Sequence, residues 1–271
     1  MILKKIDQQE CKRIELQILD EVVRICKENN FQYSLAYGSL IGAVRHKGYI
    51  PWDDDIDIYV YRKDYDKLIA LLKDSSYKKA DWVSVIDDTC DGYYYTFAKV
   101  VDNRTEVKMD RHVGNHGLWV DIFPLDNMPN SEFGAKAFIL FCSFLRVIAL
   151  AMDTNFSSST LSFGTLLYKR FFNALATVIG KKRICRFMEW VFHRYENTET
   201  NNVANLFTNM MYKGILKKDK LLPLTVFPFE DREYTGFANY DYYLSRLYGN
   251  YMQLPPEEKR ITHNFDAWWK E

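Results

Sequence analysis

The apolar positions of this chain change period several times, and each change predicts an element. Over residues 2–28, Ile14, Leu16, Ile18, Leu19, Val22, Val23 and Cys26 recur at helical spacing among Lys, Glu and Arg. Asn29-Asn30 ends that helix, and Phe31 to Ala36 reads as a short strand. Gly38, Gly42 and Gly48 punctuate the next stretch, and Pro51 closes it before a strand expected from about Asp55 to Val60. Residues 63–73 read as a helix. Between 81 and 123, WVSVI, YYYTFAKVV and GLWVDIF read as strands. Asp87-Asp88, Asp91-Gly92, Asp102-Asn103 and Asn115-His116-Gly117 supply the turns between them. Residues 132–152 and 161–195 read as helices more apolar than a usual surface helix, joined by the Ser-rich stretch Asn155 to Thr160. From Leu221 onward, Pro223, Pro228, Pro255 and Pro256 interrupt the pattern, with a short helix near Tyr240–Tyr248. No internal repeat or low-complexity segment is visible.

Composition narrows the class. The chain has 271 residues, 48% of them hydrophobic and 27% charged, which excludes intrinsic disorder. Thirty-six Lys and Arg balance thirty-six Asp and Glu, so nothing drives the chain onto nucleic acid. Five scattered cysteines (Cys11, Cys26, Cys90, Cys142, Cys185) show no CxxC spacing, which argues against a disulfide framework and a zinc module. MILKKIDQQE has no apolar run and no small-residue cleavage site, so no signal peptide is expected. Ala137 to Met152, broken by Arg146, reads as too short to span a bilayer. The aromatic share is high at 16%, so the chain either packs many rings or offers them to a ligand.

The chemistry concentrates between Gly38 and Asp57. Asp53, Asp55 and Asp57 are spaced by two, which in a strand puts all three on one face. Aligned carboxylates repel unless a cation lies between them. An all-oxygen set of this kind suits Mg²⁺ or Mn²⁺. A solvated acidic strand edge is the plain alternative. Gly38-Ser39 precedes the acids; a glycine at a strand end lets the backbone approach a ligand, and a helix start presents N–H groups to phosphate. A Gly-Ser pair alone is a common helix cap.

GSLIGAVRHKGYIPWDDDIDI resembles the signature of the LicD family, within the nucleotidyltransferase (polymerase beta-like) superfamily and related to fukutin and fukutin-related protein. GLWVDIFPLDNMP (117–129) resembles the second block of that family and YGNYMQLPPEEKRITH (248–263) its C-terminal block. The resemblance implies an α+β nucleotidyltransferase fold, a mixed sheet flanked by helices with a helical insertion. It implies a catalytic core over 1–130, a helical subdomain over 131–220, and a C-terminal segment over 221–271 packing back on the core. Asp55 and Asp57 match the paired metal-binding acids and Asp53 the extra acid of PWDDDID. Asp121 matches the third acid, with a helix cap or salt bridge as its plain alternative; Asp126 reads as a turn residue near the site.

Other groups carry two readings each. Arg45 and Lys47 are expected at the donor's diphosphate with Gly38 and Ser39, or else in a solvent-facing loop; His46 is left open. Lys99 sits in an apolar strand and suits a bound phosphate, a carboxylate partner or an edge-strand guard. Trp52, Trp119, Arg260 and His263 are candidates for the substrate, and Tyr93 to Tyr95 lie near the acids in sequence; aromatic faces bind quaternary ammonium groups.

The activity implied by the resemblance is metal-dependent transfer of a phospho-alcohol, phosphocholine first, from a CDP-linked donor such as CDP-choline. The acceptor is a hydroxyl of a cell-surface glycan: teichoic acid, lipopolysaccharide or a capsule precursor, lipid-linked or free. CMP leaves. The alternatives are an NMP-transferring enzyme using an NTP, and a non-catalytic glycan-binding protein on the same fold. A cytoplasmic location is expected, with contact at the inner face of the membrane. The basic residues Lys169, Arg170, Lys181, Lys182, Arg183 and Arg186 among apolar helices suit such contact, and a buried helical subdomain is the alternative.

Overall fold

The computed structural model describes residues 4–108, 116–154, 156, 162–260 and 265–270. The chain opens with β1 (Lys5–Ile6) and a long helix, α1 (Gln8–Asn29). The helix starts later than its apolar pattern suggests because Asp7 caps it: the Asp7 carboxylate accepts from the Glu10 N–H at 2.8 Å. Asn30, at φ 56°, turns the backbone left-handed and closes the other end. Ile18, Leu19, Val22 and Ile25 of α1 are wholly buried. Each such side chain stabilises the fold by roughly 1.5–3 kcal/mol.

After α1 come β2 (Tyr33–Leu35), α2 (Tyr37–Arg45), β3 (Asp57–Tyr61), α3 (Arg62–Lys73), β4 (Val83–Ile86), β5 (Ala98–Asp102), β6 (Thr105–Lys108) and β7 (Trp119–Asn127). The central sheet runs β2-β3-β7-β5-β4. Only β3 and β7 are parallel; the other pairs along this path are antiparallel. The architecture is therefore mixed α+β, as the resemblance implies. The strand expected from Asp55 begins at Asp57, so alternation along a strand does not align Asp53 with Asp55 and Asp57. The expected strand YYYTFAKVV keeps only its second half. Tyr93, Tyr95 and Phe97 instead pack as a cluster of rings, 5.0 to 6.1 Å apart.

Three helices follow: α4 (Glu132–Met152), α5 (Phe163–Ile179) and α6 (Lys181–Phe192). The expected 161–195 helix is two helices, parted at Gly180, whose φ of 99° suits glycine. At 21 residues, α4 is long and apolar enough to cross a membrane, contrary to the sequence expectation. It extends to Glu132 because Ser131 caps it, accepting from the Gly134 N–H. The chain then adds β8 (Asn202–Ala204) to the end of β7, β9 (Leu216–Lys217) to β8, and a short α7 (Lys218–Leu221). A hairpin, β10 (Leu224–Phe229) and β11 (Arg232–Phe237), lies where the prolines obscured any strand, followed by α8 (Tyr240–Tyr248). Finally β12 (Asp266–Trp269) joins β1 to β6 in a separate three-stranded sheet. The hairpin turn holds the loop after α2: the Glu230 N–H donates to the Lys47 carbonyl at 2.7 Å, and the Glu230 carboxylate accepts from the Tyr49 N–H at 2.9 Å. Gly42 lets this loop close, since a Cβ there would stand 2.3 Å from the Gly48 carbonyl oxygen.

Buried apolar side chains form two clusters. One lies around the central sheet, α1, α2, α3 and the hairpin. The other lies among α4, α6, the Tyr93–Phe97 rings and the segment after β8. An ionic group bridges them. Arg62 Nε donates to Asp126 at 2.6 Å, both side chains being buried. Asp126 is therefore a structural partner within β7 and not a turn residue. Glu189 and His193 reach the same group, His193 Nε2 lying 3.3 Å from Asp66. That carboxylate raises the His193 imidazole from 6.5 to about 9, and burial only partly opposes it. The folded state thus holds a proton that the unfolded state releases at lower pH. The resulting stability is complete below about pH 6.5 and is lost as pH rises through about 9. Thermal melts over this range should show the melting temperature of the unmodified protein falling faster than that of His193→Asn; parallel curves would refute the assignment.

Candidate active site

The acids meet because of strand register. β3 and β7 run parallel with Asp57 opposite Asp121, so both carboxylates stand on one face of adjacent strands. Asp121 is also opposite Lys99 on the antiparallel β5. Lys99 Nζ lies 2.7 Å from Asp121 Oδ1, and Trp119 Nε1 donates to Asp121 Oδ2 at 3.1 Å. The ammonium also lies 4.4 Å from the Trp119 ring centroid. Asp55 arrives from the segment before β3. Its carboxylate and those of Asp57 and Asp121 each offer an oxygen within 4.8 Å of the others, and Asp53, Asp54 and Asp55 form a second such group.

Backbone bonds fix this arrangement. The Asp121 N–H donates to the Ile56 carbonyl and the Ala36 N–H to the Asp57 carbonyl, each at 2.9 Å. The Asp57 N–H donates to Ser39 Oγ at 2.8 Å. Ser39 is buried and positions an acid, where the sequence expectation had it facing phosphate. Gly38 serves the same cluster: a Cβ there would stand 2.5 Å from Asp53 Oδ2, so glycine makes room for the carboxylate. Burial pushes the Asp57 carboxyl well above the usual range; the charges of Asp55, Asp121 and Asp53 add to this, and Lys99 opposes it. So many carboxylates around one ammonium make a site that favours a cation.

Asp55, Asp57 and Asp121 line a cavity of about 470 Å³, and so do Lys99 and Trp119. The same cavity is lined by rings: Tyr37, Tyr93, Tyr95, Phe97, Phe123 and Phe207. Phe97 lies 4.5 Å from Phe123, and Tyr95 lies 5.4 Å from Phe207. Polar groups close the rim. Asn205 donates to the Tyr37 hydroxyl at 3.0 Å, and Tyr95 bonds Asp153 of the turn after α4. Arg146, in α4, also lines the cavity, and its Nε has no hydrogen-bond partner. Burial pulls its guanidinium below its ordinary value. Sequence reasoning treated Arg146 as a break in an apolar run; a lone arginine in so apolar a helix was the available signal.

Several expected site residues lie elsewhere. Arg45 ends α2, about 10 Å along the helix from Gly38; its side chain bonds His46 Nε2 at 2.9 Å and the Tyr251 carbonyl at 2.6 Å. Lys47 is exposed, and its carbonyl receives the hairpin turn. Neither lines the acidic cavity. Trp52 carries the Arg260 guanidinium 4.6 Å from its ring centroid, and Arg260 Nε donates to the Pro255 carbonyl. That pair anchors the C-terminal segment beside His46, and it too lies outside the cavity lining. His263 lies outside the described residues.

Residues 30–139, which carry all these acids and Lys99, match the LicD/FKTN/FKRP nucleotidyltransferase domain. The chain is also 28% identical to the lipopolysaccharide cholinephosphotransferase LicD of Haemophilus influenzae, over 97% of each protein. Residues 30–139 thus carry a LicD-type domain. The chain is in addition 29% identical, over 42% of its length, to the ribitol 5-phosphate transferase FKRP of Mus musculus; that match covers 21% of the mouse protein. The LicD match with the Haemophilus protein runs through α5, α6 and the hairpin, beyond the domain itself.

The Asp57 N–H has no other acceptor of this kind once the Ser39 hydroxyl is removed. Ser39→Ala should lower unfolding free energy by about 1–3 kcal/mol, the range for stranding a buried donor. Urea denaturation measures this directly, and an unchanged midpoint would contradict the assigned bond.

Proposed function

We propose that this chain transfers a phospho-alcohol, phosphocholine first, from a CDP-linked donor to a hydroxyl of a cell-surface glycan, releasing CMP. The observation that carries this reading is one cavity whose lining combines two chemistries. Three converging carboxylates with Lys99 line it, and so do stacked and edge-on rings. Phosphate chemistry suits the charged groups and a quaternary ammonium the rings. The kinship with a cholinephosphotransferase and a ribitol 5-phosphate transferase supports transfer of phospho-alcohols as the shared chemistry.

The donor set fits a hard divalent ion: it is all oxygen, and it comes from a strand, the segment before it and the neighbouring strand. Asp55, Asp57 and Asp121 would hold Mg²⁺ or Mn²⁺, with Asp53 beside them. Such an ion supplies charge neutralisation and polarises phosphate oxygens. The chain's own groups do the rest. Arg146 offers free guanidinium donors to the phosphate that moves. Lys99 and Trp119 fix the Asp121 carboxylate, which still has lone pairs to accept the proton of the acceptor hydroxyl. The acceptor oxygen forms a bond to the distal phosphorus, the bond from phosphorus to CMP breaks, and CMP carries the displaced oxygen away.

The test is turnover of CDP-choline, CDP-ethanolamine, CDP-glycerol, CDP-ribitol, ATP and CTP with Mg²⁺ and a glycan acceptor. CMP release from one CDP-alcohol is expected. It should be abolished by EDTA and lowered at least about 100-fold in Asp57→Asn. Arg146→Ala should raise the donor KM by about ten-fold, the loss of one charged hydrogen bond. Mn²⁺ should bind more tightly as pH rises, because protons compete for Asp57. Pyrophosphate from an NTP would replace this reading with nucleotidyl transfer; silence with an authentic acceptor would leave a glycan-binding protein.

A further inference from the structure

The three consecutive helices expose an apolar face. α5 buries Ala176 alone. Phe163, Leu167, Phe171 and Leu175 recur every four residues along it, and Val178 continues the stripe. Phe163 is 82% exposed, Phe171 63% and Val178 86%. α4 adds exposed Phe133, Leu140, Phe141 and Phe144, and α6 adds Phe187 stacked on Trp190. A groove of about 240 Å³ lies among the three helices, lined by Leu145, Ile148 and Phe172 among others. Leu175, Ile179 and Phe187 both line the groove and face outward.

Charge selects the occupant. From residue 154 to residue 188 the sequence contains Lys169, Arg170, Lys181, Lys182, Arg183 and Arg186, and no Asp or Glu. This excess stands in a chain whose formal net charge is zero. Arg170, Lys182, Arg183 and Arg186 are exposed, and Arg183 also lines the groove. A second copy of this face would set like charges against each other. An acidic soluble protein would leave the phenylalanines in water. An anionic bilayer satisfies both at once, with acyl chains for the rings and headgroups for the bases.

We propose that the α4–α5–α6 face docks in the interface of an anionic lipid bilayer without crossing it. α4 cannot leave for the bilayer core intact. Its Ile139, Cys142, Leu145 and Ala149 are buried in the second cluster, and its Arg146 and Leu150 line the acidic cavity. The basic end of the face also abuts that cavity. Lys181 Nζ donates to the Met152 carbonyl at 3.1 Å, and Lys182 pairs at 2.6 Å with Asp91, next to the cavity-lining Gly92. Docking therefore brings the cavity close to the headgroups, where an acceptor carried on a lipid would stand.

Flotation with vesicles tests this on the full chain and needs no turnover. Vesicles of phosphatidylcholine with about one third phosphatidylglycerol should recover at least about ten-fold more protein than phosphatidylcholine alone. Phe171→Asp with Val178→Asp, and separately Arg170→Glu with Arg183→Glu and Arg186→Glu, should each abolish that difference. Circular dichroism should show both variants folded. Asp57→Asn should float like the unmodified protein, so a failed transfer reaction would leave this result standing. No flotation, equal binding to neutral vesicles, or a soluble dimer that ignores vesicles would overturn the proposal. Resistance to alkaline extraction would overturn it too, since that marks a spanning helix.

Discussion

The site depends on a single register choice, the pairing of Asp57 with Asp121 across the one parallel strand pair of the central sheet. Parallel neighbours in register point their side chains the same way, so this pairing forces two carboxylates together inside a protein. Such a placement costs free energy through desolvation and like-charge repulsion. Lys99, from the next strand, offsets part of it. The surrounding backbone makes the arrangement obligatory: Ser39, Ile56 and Ala36 bind the peptide groups around the acids. Slipping the register by one residue would send Asp121 to the opposite face and Ile122 into the cavity. A cluster held this firmly against its own repulsion is preorganised for positive charge.

The rest of the cavity is contributed by parts of the chain far from the acids in sequence. Rings from the 93–97 segment, Arg146 from α4 and Phe207 after β8 complete it. The LicD domain match ends at residue 139, so Arg146 and Phe207 come from chain beyond it. The acids and part of the cavity around them are thus supplied by different stretches of chain. Substitution in the later stretch can alter what is bound without disturbing the carboxylates.

Much of this was legible in the sequence, for identifiable reasons. α4 and α8 lie where the pattern placed them because long apolar periodicity and a capping Ser131 or Asn239 agree. Asp121 stood out because it breaks an otherwise apolar strand. Arg45 and Lys47 follow Gly38 closely in sequence, but α2 separates them from it along its length. The Tyr93–Phe97 rings read as a strand because aromatic residues favour strands, yet their mutual packing won. The hairpin was hidden by Pro228, which an outer strand tolerates. Arg146 carried one signal, a lone arginine in an apolar helix, and the tertiary arrangement is what brings it to the cavity.

The Arg62 guanidinium has a consequence for how the molecule comes apart. It is buried between Asp126 of the sheet and Glu189 of the last of the three helices, with Asp66 and His193 beside it. Peeling that helix away would hydrate the arginine's pocket and leave Asp126 with a wet, weakened partner. The two apolar clusters are therefore fastened by an ionic rivet, and fraying in either is transmitted to the other. That link couples the helices to the acids they help enclose, so opening of one is expected to loosen the other.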